Sequence, residues 1–93
     1  MVQRSSLARD RKLRQFGENV RNWRTIQGIS ASELARRAHV TRATLSSIEK
    51  GLGAAKFDSV FAVVNALGFV DALVASTDPF SSEAGQAITL SRG

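Results

Sequence analysis

The most constraining stretch of the chain runs from Ser30 to Gly51, SASELARRAHVTRATLSSIEKG, because it marks both ends of two short helices and leaves little room to turn between them. Ser30 followed three residues later by Glu33 is a capping-box pattern, so a helix is expected to start at Ala31. Leu34, Ala35 and Ala38 then share one face, and Arg36 and Arg37 point away from it. Thr41 repeats the capping chemistry for a second helix, Arg42 to Lys50, with Leu45 and Ile48 inward and Gly51 as a left-handed stop. The chain must reverse within Ala38-His39-Val40, which calls for one residue at positive φ. His39 stands there, and histidine tolerates that region better than branched residues do. As the only histidine it invites a ligand or catalytic role, but no acid, nucleophile or second ligand is spaced to partner it, so it reads as a turn residue.

A chain of 93 residues forms one domain with a modest core. With no cysteine and a single histidine, neither a disulfide nor a zinc centre is expected, and the fold must rest on packing. No apolar run approaches the roughly 20 residues of a membrane span. The N-terminal MVQRSSLARDRK also lacks the hydrophobic segment of a signal peptide. The expectation is a soluble, cytoplasmic protein without membrane association. Gly51-Leu52-Gly53 is too short for a dinucleotide fingerprint and follows a helix rather than a strand. Neither paired carboxylates nor a Ser/His/Asp order points to catalysis, so no enzyme, no cofactor and no metal are expected.

Charge divides the chain. Residues 1–28 carry seven Arg/Lys against two acids, residues 29–56 five against two, and residues 57–93 one against four. A basic front with an acidic back suits a polyanion such as nucleic acid; the alternative is a basic helix that is merely solvated. Ten of the thirteen basic residues are arginine, whose planar fork favours phosphate and base-edge contacts over plain solubility.

Residues 1–9 are polar and basic, either a flexible arm or a frayed helical extension; Arg4 and Arg9 could reach a DNA groove or make no contact at all. The domain proper is expected over 10–76. From Asp10, the residues Leu13, Phe16, Val20, Trp23 and Ile26 recur at helical steps and predict a first helix ending near Gln27, with Arg11, Arg14, Arg21 and Arg24 on its other face. Trp23 reads as a core or rim anchor, with base stacking as the alternative. Phe57, Val60, Phe61, Val64 and Leu67 predict a fourth helix closed by Gly68. Phe69 to Val74 predicts a short fifth, more apolar than so small a core can absorb, so part of it should meet a partner chain. The tail, 77–93, is set apart by Pro79; its β-prone Ala87-Ile88-Thr89-Leu90 could be a dimer-contacting strand, a short helix or disordered.

From Phe16 to about Phe69 the chain resembles the Cro/repressor, or Xre-type, helix-turn-helix family. The resemblance rests on FGENVRNWRTIQGIS, SELARRAHVTRATLSSIEKG and FDSVFAVVNALGF, in the family's order and spacing. It implies an all-α, five-helix, lambda-repressor-like domain in which helix 3 enters the major groove and helix 2 lies across the phosphates. Carried over, the base-facing positions are Arg42, Ala43 and Ser47, with Thr41 and Thr44 beside them. Arg42 could bond a guanine bidentately, a discrimination of roughly 1–3 kcal/mol; the alternatives are a phosphate contact or a solvated cation. Ala43 could touch a thymine methyl. Phosphate contacts fall on Ser30, Ala31 and Ser32 at the start of helix 2, and on Lys50 and Lys56, for which solvation is the alternative. Arg24 and Glu49 match a structural ion pair that fixes the angle of helix 3. Three positions depart from the family: Ala31 replaces a common glutamine clamp, His39 a common turn glycine, and Lys56 a small capping residue.

The resemblance implies a sequence-specific transcriptional regulator, a repressor acting on double-stranded DNA as a homodimer at an inverted-repeat operator. Phe69, Val70, Leu73 and Val74, with the tail, would supply the dimer surface. The alternative is an antitoxin that binds a toxin protein and represses its own operon.

Overall fold

The computed structural model describes residues 6–81, 85, 87 and 88. Five helices follow in order: α1 Leu7–Ile26, α2 Ala31–Ala38, α3 Arg42–Lys50, α4 Phe57–Leu67 and α5 Val70–Ser76. There is no strand among the described residues. Arg4 and most of the tail lie outside them. Within the tail, Asp78 anchors a turn by accepting from the Phe80 amide and the Ser81 hydroxyl at 2.9 Å each, and residues 85, 87 and 88 have helical backbone.

The caps form where the sequence calls for them. Ser30 Oγ accepts from the Glu33 amide at 3.1 Å, and Thr41 Oγ1 from the Thr44 amide at 3.0 Å. His39 takes the left-handed conformation, with φ 57° and ψ 40°. The capping box of α2 is only half built, because the Glu33 carboxylate turns forward to Arg36 and Arg37 instead of back to Ser30. At the other end of the chain, α1 begins three residues before Asp10, since Ser6 accepts from the Arg9 amide and caps it there.

The core gathers where the first four helices meet, with Val20, Leu34, Leu45, Val63 and Val64 fully buried. Two expectations fail on helical phase. Ile26 is 78% exposed, because six residues beyond Val20 lies about 120° round the helix at 3.6 residues per turn. In α4 the inner face centres on Val63, Val64 and Leu67. Phe57 and Phe61 are left outside, 73% and 36% exposed, with their rings 6.0 Å apart.

Two glycines let α1 lie directly on the end of α3. A Cβ on Gly17 would stand 2.5 Å from the Glu49 carbonyl oxygen, and one on Gly51 would stand 2.5 Å from that of Leu13. Real side chains do not fit there, so the helices meet backbone to backbone. At the far end of α1, Trp23 stacks on Phe69, with centroids 5.6 Å apart and planes at 24°. This makes Trp23 a rim anchor and commits Phe69, expected on a dimer surface, to the domain's own packing. Gln27 closes the same end by donating to the Leu67 carbonyl at 2.7 Å.

Candidate nucleic-acid interface

The cap at Thr41 determines what the first turn of α3 presents. Thr41 and Thr44 bond each other through their hydroxyls at 3.0 Å, in addition to the amide cap, so both side chains are engaged at the base of the turn. Arg42 and Ala43 are exposed beside them. Counting forward by four from Arg42 gives Ser46 and then Lys50, half-buried and exposed respectively, and these complete an outward stripe.

Ser47 does not join that stripe. It is half-buried, and its hydroxyl oxygen is buried without a hydrogen-bond partner. The polar atom expected to face bases therefore points into the domain. Ser46 takes the outward place, as its four-residue spacing from Arg42 requires, although the family's base-facing positions do not include it.

Arg42 does not project freely. Its Nη1 donates to Ser32 Oγ at 2.6 Å, across the turn and onto α2. Ser32 thus meets the guanidinium expected to read bases, while Ser30 Oγ is occupied by its cap. Ala31 is half-buried. Lys56 is exposed at the start of α4, which has no side-chain cap.

The ion pair expected between Arg24 and Glu49 is present and bidentate, with Nε to Oε2 at 2.8 Å and Nη2 to Oε1 at 3.2 Å. Nη1 adds a bond to the Ile29 carbonyl at 3.2 Å. Both side chains are largely buried, 16% and 12% exposed. The hydrogen bond to Glu49 holds the Arg24 guanidinium above its ordinary range, against the effect of burial. One arginine therefore fixes α1, the α1–α2 connection and the end of α3 together. On α2, Arg36 and Arg37 both grip Glu33 and push its carboxyl down to about 2. Those two cations are locked on the helix surface.

Among the described residues, no group of His, Cys, Asp and Glu could hold a metal ion, and no helix is long and apolar enough to cross a membrane.

Searches of curated proteins and of solved structures return no match to this chain. A family model for helix-turn-helix proteins matches residues 20–73, from the middle of α1 into α5. The matched span covers more than half the chain and contains the capped α2–α3 pair, its left-handed turn and the Arg24–Glu49 brace. The chain belongs to the Cro/repressor-type helix-turn-helix family of DNA-binding regulators, with that family's five-helix, lambda-repressor-like fold.

Proposed function

We propose that the protein is a transcriptional repressor that binds an inverted-repeat operator as a homodimer, with one α3 in each of two successive major grooves. The observation that carries this reading is the outward stripe of α3. Arg42, Ala43, Ser46 and Lys50 hold polar or small side chains on a helix whose angle is set by the largely buried Arg24–Glu49 pair. Arg42 contacts a guanine, Ala43 a neighbouring base edge, and Ser30, Ser32, Lys50 and Lys56 the backbone. One such helix reads too few base pairs for genomic specificity. Two copies about 34 Å apart supply it.

The pairing surface is assigned to α5, none of whose residues is buried in the monomer. Val74 is 55% exposed, with Val70 and Leu73 half-buried beside it. Phe69 supports that surface from below through its stack on Trp23.

Selection of bound sites from a random DNA pool, followed by gel-shift titration, tests the reading. A palindromic site should emerge, and Arg42→Ala should bind it about tenfold or more weakly. Recovery of no preferred sequence, or unchanged binding by Arg42→Ala, would overturn it.

A further inference from the structure

Between α1 and α3 lies a cleft of about 290 Å³ whose lining includes Arg21 and Arg24 from one wall and Arg42, Ser46, Glu49 and Lys50 from the other. Its charges do not balance. The single carboxylate among these residues, Glu49, is taken bidentately by Arg24, and the bond Arg42 makes is to an uncharged serine. Among the described residues neither Arg21 nor Lys50 has an ion-pair partner, and Glu18, one turn before Arg21, makes no pair with it. Three uncompensated cations therefore face one solvent-open cleft, an arrangement that repels itself until an anion enters.

The cleft adjoins the outward stripe of α3, since Arg42, Ser46 and Lys50 belong to both. Because the two share these residues, a duplex seated with base edges on that stripe would bring its sugar-phosphate edge alongside the cleft. The guanidinium fork of Arg21 suits a phosphate oxygen pair better than a single point charge would. Its wall is fixed in place because α1 rests on the α3 backbone at Gly17.

We propose that Arg21 and Lys50 close on one phosphodiester of the DNA backbone from opposite walls of this cleft, adding α1 to the elements of the DNA-binding surface. The inference rests on the DNA-binding reading above and adds a contact to it. Such a grip acts on every sequence alike, because a phosphate carries no base identity.

The test is a salt titration of binding by the full chain, wild type, Arg21→Gln and Arg21→Lys, to the selected site and to a duplex of random sequence. Arg21→Gln should flatten the slope of log affinity against log salt by about 0.9 per bound protomer. It should also weaken binding about fivefold at low salt, equally on both duplexes. Arg21→Lys should restore most of the slope. An unchanged slope in Arg21→Gln, or a loss confined to the selected site, overturns the contact while leaving the DNA-binding reading intact. Absence of salt-dependent binding by the wild type would overturn that reading itself, and the contact with it. Arg21 is exposed, so circular dichroism should show both variants folded.

Discussion

Arg42 and Ser32 are joined across the turn between α2 and α3, with Nη1 donating to Oγ at 2.6 Å. The bond leaves the Nε edge of the guanidinium open to a base while fixing where the group lies, and a side chain already held loses less freedom on binding. Ser32→Ala should relax discrimination about fivefold at the one base pair per half-site that Arg42→Ala also relaxes. Competition with singly substituted duplexes measures this. A loss spread evenly over all positions would make Ser32 a backbone contact only.

Ser47 offers the opposite case, a hydroxyl whose oxygen is buried and unpartnered. Burying such a group without a bond costs about 1–3 kcal/mol, and alanine is the better helix former. Ser47→Ala should therefore leave the melting temperature unchanged or raise it by a few degrees, with little effect on DNA affinity. A lowered melting temperature would mean that the hydroxyl finds a partner in the folded protein.

Removing one member of the Arg24–Glu49 pair leaves the other charge largely buried and alone. Glu49→Ala is expected to cost on the order of 2–3 kcal/mol, or a fall of about 10–20 °C in Tm for a domain of this size. Glu18 is exposed and makes no ion pair among the described residues, so Glu18→Ala should stay within about 0.5 kcal/mol of wild type. Thermal melts of the two variants give the comparison, and equal shifts would remove the brace from the account of how α3 is aimed.

Glu33 makes stability depend on acid. Arg36 and Arg37 lower its carboxyl from 4.5 to about 2, so the folded chain holds that proton less tightly than the unfolded chain does. The stabilisation is complete above about pH 4.5 and is lost as pH falls towards about 2. Because the pairs lie on the surface of α2, with the Glu33 side chain 30% exposed and its arginine partners more so, solvent screening keeps the effect small. It should appear as a difference between melting curves of wild type and Glu33→Gln that closes across that window.

The features legible in the sequence were those decided within one turn of chain. Ser30, Thr41, His39 and Gly51 have their roles set by neighbours three or four residues away, and each does what local chemistry requires. The Arg24–Glu49 pair spans 25 residues and was legible only through the family resemblance. What escaped depends on the angle at which helices cross. Ile26 and Phe61 fit a periodic pattern but fall off the face that the packing selects. Gly17 carries no hydrophobic signal, yet it lets α1 rest directly on the α3 backbone. Ser46 and Ser47 are adjacent identical residues, both half-buried, and only the rotation of α3 about its axis decides which hydroxyl is turned inward.

The contact at Gly17 has a consequence for how such a protein can change. With α1 seated on the α3 backbone, the orientation of α3 is carried by main chain, by its buried Leu45 and Ile48 and by one ion pair, and its outer stripe adds nothing to the apolar packing. Arg42, Ala43, Ser46 and Lys50 take no part in the apolar core. On the DNA-binding mode proposed above they form a detachable text on a fixed page: their identities can be exchanged almost independently of folding, so new recognition specificities would lie a few substitutions away from this one at little cost in stability.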